Sequence, residues 1–337
     1  MKMPNNLFFK LYANCIPVRG AAESLIMDLQ RGEHFSIPNK LMDVLELVHE
    51  NIPIKEVKKH FNGDYNKGID AFFGMLEVNE YGFFSNEPES FPNISTQFEF
   101  PSKIVSSIIS LNENTKFNLS SLLIKLDDLG CQIIQIRILD SYPIEFIKEA
   151  LINVSESDIK NLELFVPDKF STDEKLIELM HTSLRVSMVV YDSSKERKLK
   201  ILRHRNRYVY FIEDTLSKES KELYGKHLMK CNMNFYCEAK NFNVGLNKKI
   251  TIDESGEISN YFSHKESFGN IESIEIEKLL QDEEFRYKWL INNDKIEKCK
   301  DCQYRYMCLS NSDIVKNNDK FFKVDNCGFN PLKNTWD

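Results

Sequence analysis

Several signatures of familiar chemistry are missing from this 337-residue sequence. It has no phosphate-binding P-loop, no glycine-rich dinucleotide turn and no Ser/His/Asp set, so nucleotide hydrolysis, Rossmann-type hydride transfer and serine-type acyl transfer lack their residues. Glycine is scarce, at twelve residues, which agrees with the lack of glycine-rich ligand loops. No apolar run approaches the ~18 residues that cross a bilayer, and no secretory leader is visible at the N-terminus. Basic residues are not in excess. Lys and Arg number 44 against 51 Asp and Glu, a net charge of -7, which speaks against general nucleic-acid binding. These absences predict a cytoplasmic, soluble chain of two or three domains, with neither membrane nor nucleic acid among its partners.

What the sequence does have is cysteine gathered toward one end. Six of its eight cysteines follow residue 230. Cys299, Cys302 and Cys308 spell C-x2-C-x5-C, and Cys327 trails them. Two thiolates on a tight turn, a third just beyond and a fourth from afar can surround one soft metal centre, a [4Fe–4S] cluster or a tetrahedral zinc. Disulfides or free thiols are the bland alternatives, and a reducing compartment disfavours the former. Cys231 and Cys237 give C-x5-C, a candidate second site. Cys15 and Cys131 lie in apolar segments and read as buried small hydrophobes. Tyr304 and Tyr306 read as packing around the cysteines, and His227 and His264 as surface or packed histidines rather than ligands.

The rest of the chain divides by pattern. Strands are expected over 7–13, 24–29 and 34–37, followed by a helix opened by Pro38 with Leu41, Val44, Leu45 and Val48 on one face. A second helix starts at Pro53, a third carries Ile69, Phe72, Phe73 and Leu76, and an edge strand follows over 81–84. A polar, proline-bearing linker covers 86–93. Strands at 103–110, 132–139, 162–166, 185–191 and 207–212 then alternate with helices at 119–129, 143–152, 173–181 and 216–230. Such alternation means an α/β fold with a parallel sheet, open or partly closed into a barrel. The basic run 195–207 reads as a solvated helix face or loop, or as a contact for an acidic partner. A hairpin over 249–258, turning at Glu254 to Gly256, opens the cysteine-bearing tail.

Three strands followed by three helices over residues 1–90 resemble the winged-helix peptide-recognition domain of the PqqD-like chaperones. The resemblance implies that a leader peptide adds as a strand beside 34–37 and over the third helix, in a groove of His34, Phe35, Ile37, Asp70 and Phe73. DNA is the rival ligand of a winged helix, but the third helix sets Asp70 and Glu77 against Lys67.

The strand–helix array over 100–230, followed by the tail over 231–337, resembles a radical SAM barrel with a SPASM extension. That family chelates S-adenosylmethionine on a CxxxCxxC cluster after its first strand. Here the corresponding loop, 111–117, holds no cysteine, and no CxxxCxxC occurs anywhere. The resemblance therefore implies a degenerate barrel without S-adenosylmethionine. In SPASM proteins one auxiliary cluster uses the positions held here by Cys231, Cys237, Asn260 and Ser312, and the other those held by Cys299, Cys302, Cys308 and Cys327. Only the second set is complete, which implies one fully ligated [4Fe–4S] cluster that staples the tail, with zinc as the alternative.

Taken whole, the chain is similar to the SPASM-domain peptide maturases of grasp-with-spasm systems. The residues that carry this are 103–112, 126–138 (Leu129-Gly130-Cys131-Gln132 leading to Gln135-Ile136-Arg137) and 237–327. The similarity implies a short precursor peptide and an ATP-grasp peptide ligase as partners, with this chain as an accessory to maturation. A peptide-modifying iron–sulfur enzyme working by another route and a zinc-stapled binding module are the alternatives, since the sequence offers no catalytic constellation.

Overall fold

The computed structural model describes residues 7–154, 156–202, 207–215, 217 and 229–336. It is a mixed α/β protein with a large, mainly parallel sheet.

The N-terminal module contains β1 (Phe8–Leu11), β2 (Cys15–Val18), β3 (Ser24–Asp28), β4 (Glu33–Ile37), α1 (Asn39–His49), α2 (Ile54–His60), α3 (Asn66–Val78) and β5 (Gly82–Ser85). It has one strand more than the pattern predicts. β2, β3 and β4 form an antiparallel sheet, while β1 pairs with β5. The additional strand, β2, carries Pro17, which an edge strand tolerates because its outer side needs no donor. Phe9, Ile26, Val44, Leu45, Ile69, Phe72, Phe73 and Leu76 close the module's own core.

β3 is buried at all five positions. Alternation sends Ile26 toward the module's helices. It sends Leu25 and Met27 the other way, into a separate core built with Tyr236, Tyr304, Tyr306, Met307 and Phe329 of the tail. A half-buried antiparallel strand normally alternates with polar residues. This one is sandwiched, which explains its unbroken Leu25-Ile26-Met27 run.

The central layer contains β6 (Ser106–Leu111), α4 (Leu119–Asp128), β7 (Ile133–Ile138), α5 (Ile144–Asn153), β8 (Asn161–Pro167), α6 (Glu174–Thr182), β9 (Val186–Asp192), β10 (Lys198–Leu202) and β11 (Arg207–Phe211). Residues from helix α7 (Met233–Asn241) onward belong to the tail, yet its hairpin, β12 (Lys249–Ile252) and β13 (Ile258–Ser259), continues the same sheet. The order is β10-β11-β9-β8-β7-β6-β12-β13, an open sheet whose β12 runs parallel to β6. One face presents Ile134, Ile136, Leu162 and Leu164, aligned strand to strand, to the core that includes Leu122, Leu126, Ile147 and Leu176. The opposite face carries Gln135, Arg137, Glu163 and Phe165. There the buried Arg137 guanidinium lies over the rings of Phe262 and Phe165, at 4.4 and 5.2 Å.

Two expectations change. Part of the basic run is neither helix nor loop: residues 198–202 are β10, the antiparallel edge beside β11. Its alternation of lysine with Leu199 and Ile201 is a strand pattern. The strand expected at 103–110 begins later, at Ser106, because Lys103 and Ile104 donate their N–H groups to Leu129 O instead. Residues 203–206 of the run, and nearly all of the helix expected at 216–230 with His227, lie outside the described residues. Among the described residues no helix is long and apolar enough to cross a membrane.

The tail ends in two small antiparallel pairs, β14 (Ile314–Asn317) with β15 (Lys320–Lys323) and β16 (Phe329–Asn330) with β17 (Thr335–Trp336). Between and before them runs the cysteine-bearing chain.

Candidate metal centre

The cysteine loop is a succession of tight turns. Lys300 N–H donates to Ile296 O, Cys302 N–H to Cys299 O, Arg305 N–H to Cys302 O and Met307 N–H to Tyr304 O, at 2.9 to 3.3 Å. Repeated turning keeps Cys299, Cys302 and Cys308 on one side, and β15 delivers Cys327 to the same place. All four line one cavity of about 50 Å³ together with Lys298, Arg305, Lys323 and Asp325. A void of this size exceeds the ~10–15 Å³ that one water requires.

All eight cysteines are free thiols, so the disulfide alternative is not realised. Burial, with the neighbouring thiols adding to it, pushes Cys302 up to about 12 and Cys299 upward. A bound cation would be needed to hold Cys299 and Cys302 as thiolates, since metal binding releases their protons. The surroundings suit such an anionic centre. Three cations and one carboxylate line the cavity. Lys298 Nζ donates to Cys327 O at 2.9 Å and Arg305 Nη1 to Cys302 O at 3.0 Å. Cys327 Sγ accepts from Phe329 N–H at 3.4 Å. Lys323 lines the same cavity, and against burial, which lowers its pKa, the nearby sulfurs of Cys308, Cys299 and Cys327 raise it. Among the described residues no group of three or more His, Cys, Asp or Glu side chains is arranged to hold a single ion. The sulfurs line a void rather than meet at a point. Four thiols round one void with a cationic rim fit a tetrathiolate prosthetic group.

Cys231 and Cys237 are not brought together with this quartet. Cys231 Sγ bonds Glu33 O at 3.1 Å and Asp28 O at 3.5 Å, while Cys237 Sγ bonds Ser95 O at 3.7 Å. Asn260 and Ser312, at the other two positions of that set, make structural bonds of their own. Asn260 Nδ2 donates to Phe285 O at 2.9 Å, and Ser312 Oγ accepts from Asp325 N–H at 2.9 Å. His264 is packed: Nε2 lies 3.0 Å from Asn311 O, and burial holds its pKa below the ordinary value. Cys15 and Cys131 are buried, each pushed up to about 12 by desolvation.

The candidate peptide groove divides. Glu33, His34 and Ser36 of β4 are exposed and Phe35 is half-buried, packed 4.6 Å from the Tyr81 ring. Ile37 and Phe73 are interior, with Phe73 stacked 4.6 Å from Phe9, and Asp70 is paired with Lys58 at 2.6 Å. Phe72 is interior as well as Phe73, because helical spacing puts both on the inner face of α3. A strand lying on β4 can thus reach His34 and Phe35, but not Ile37 or Phe73. Tyr304, from the middle of the cysteine loop, stands against this strand. Its ring is 5.7 Å from that of His34, and its hydroxyl is within reach of Ser36. Arg305 makes the same connection by donating to Arg19 O at 2.6 Å.

Loop 111–117 lies at the C-terminal end of the parallel strands, where open α/β sheets bind ligands. Asn112, Glu113, Lys116 and Tyr142 line a cleft there of about 650 Å³.

No family model and no curated protein matches this chain. Among solved structures it aligns with Streptococcus suis SuiB bound to precursor peptide SuiA, at 12% identity and a TM-score of 0.38, over 91% of this chain and 94% of that one. It also aligns with SuiB bound to S-adenosylmethionine, at 11% identity and a TM-score of 0.32, over the same shares of 91% and 94%. Likenesses this remote carry no weight for the present chain's chemistry.

Proposed function

We propose that this chain is an accessory protein of ribosomal-peptide maturation. It takes a precursor peptide as an added strand on β4 and presents it to an ATP-grasp ligase. In this reading residues 1–90 recognise the peptide, 100–230 are a degenerate radical-SAM-like scaffold, and 231–337 are a SPASM tail. Cys299, Cys302, Cys308 and Cys327 hold one [4Fe–4S] cluster, which when bound cross-links the tail and can carry one electron. A cubane suits sulfurs spread round a void better than a lone zinc does, since zinc draws four sulfurs to ~2.3 Å from one point.

The observation that carries the reading is the core shared by the cysteine loop and the sheet whose outer strand is β4. A peptide strand would gain main-chain hydrogen bonds along β4, and side-chain selection from His34 and Phe35. Tyr304 and Arg305 support that sheet from behind. Nothing in the reading assigns bond-making to this chain, and it uses no S-adenosylmethionine.

The test is reconstitution. Anaerobically purified protein is expected to contain iron and sulfide in equal amounts. It should bind the precursor encoded beside it and support modification only with the ligase present. Zinc without sulfide would replace the cluster. Modification of the peptide by this protein alone would end the accessory role, and reductive cleavage of S-adenosylmethionine would overturn the whole reading.

A further inference from the structure

Lys323 is placed unusually for an edge lysine. It ends β15, opposite Ile314, in a strand whose other lysine, Lys320, faces solvent. A lysine here would ordinarily extend outward, since an ammonium is strongly hydrated and its stem is flexible. This one folds inward to line the cavity together with all four cysteines. Among the described residues no carboxylate lies within salt-bridge distance of it, whereas Lys316 and Lys320 nearby pair with Asp319 and Glu297. Its counter-charge would be the thiolates of a loaded centre. Lys298 and Arg305 differ, because they hold the carbonyls of Cys327 and Cys302 rather than the sulfurs.

We propose that Lys323 is an electrostatic positioning residue that sets the reduction potential of the centre, so that the tail holds a usable one-electron carrier as well as a cross-link. The inference rests on the cluster reading given above. A tetrathiolate cubane gains one negative charge on reduction. A fixed ammonium beside its sulfurs stabilises the reduced form more than the oxidised form, and charge and hydrogen bonds at the sulfurs are recognised determinants of cluster potential. The electron balance is simple: one electron enters the cluster from an external reductant, here dithionite, and no bond is made or broken. A zinc centre has no such couple, so under zinc the lysine would only neutralise charge.

The test uses the full chain with its centre loaded anaerobically, titrated by dithionite while absorption and electron paramagnetic resonance are followed. Lys323→Met should shift the equilibrium between oxidised and reduced cluster about tenfold toward the oxidised form, which is about 59 mV lower in potential for one electron. Lys323→Gln should do nearly the same, and Lys323→Arg should keep the wild-type potential. Wild-type potential in the loaded neutral variants would overturn the proposal. So would failure of both neutral variants to load while Lys323→Arg loads, since the role would then be structural. Wild-type protein holding zinc and no sulfide fails at an earlier step, against the cluster itself, and is told apart by metal and sulfide analysis before any titration.

Discussion

Replacing Cys302 by alanine removes one of the four thiols that line the cavity, and on the proposed reading the expected result is loss of metal from the purified protein. Cys231→Ser should leave the metal content unchanged, because that thiol bonds Glu33 O and Asp28 O instead of facing the cavity. Metal and sulfide analysis of the two variants side by side separates these outcomes. A second prediction at this scale concerns pH. Burial lowers the pKa of His264 from its ordinary 6.5, so the unfolded chain binds that proton more readily than the folded one. Its contribution to stability is therefore complete above about pH 6.5 and is lost as pH falls from there toward the folded value. Urea midpoints should decline across that window, and His264→Gln should flatten the decline. An equal decline in the variant would count against His264 as its source. The gathering of Cys299, Cys302, Cys308 and Cys327 round one cavity was readable from sequence because three of the four share one short loop. Lys323 was not readable: in Lys320-Phe321-Phe322-Lys323 it looks like the surface residue of an edge strand, and only the fold turns its head inward.

Among elements, β3 offers the sharpest comparison. Leu25 and Ile26 are neighbours, both fully buried, on opposite faces of one strand. Leu→Ala or Ile→Ala at such sites costs about 2–5 kcal/mol. The two should nevertheless differ in what else is lost. Leu25→Ala opens the core shared with Tyr304 and Met307, so the metal should leave faster under a chelator. Ile26→Ala opens the module's own core and should leave metal retention close to wild type. Equal rates of metal loss would mean that the two cores do not act separately. On β4, Ser36→Pro should weaken binding of a peptide that adds as a strand, measured by titration, because proline disrupts the strand that the peptide would pair with. The helices were legible, since apolar residues recur at helical spacing in α1, α3 and α4. β2 was missed because Pro17 reads as a breaker unless the strand is known to be an edge. The spelling of the hairpin β12–β13 was also legible. Its partner was not, because pairing with β6 is a relation between segments about 140 residues apart, which no local pattern encodes.

At the scale of the molecule, the first and last parts of the chain are one packed unit. Arg305 donates to Arg19 O, Ala21 N–H to Asp301 O, and Ala22 N–H to Pro331 O. If the four cysteines hold a metal as proposed, removing it from the intact protein should therefore loosen a sheet nearly 300 residues upstream of them. Hydrogen exchange is expected to accelerate over 15–37 and 299–308 while β6 to β9 keep their protection, as locally opening units do. Unchanged exchange over 15–37 would show that the tail does not brace the module. This fusion is what composition and motif spacing conceal: both ends look like self-standing domains, and only the two-sided burial of β3 hints otherwise.

The parallel pairing of β12 with β6 also sets an order of events during synthesis. β6 leaves the ribosome with β7 soon behind it, but its other flank must wait for Lys249–Ile252, about 140 residues later. At ~5–20 residues per second that is roughly seven to thirty seconds of translation with an apolar strand bare on one side. For that interval the half-made protein offers a sticky seam to any other nascent chain. A chain halted or cut before residue 249 would keep that seam for good.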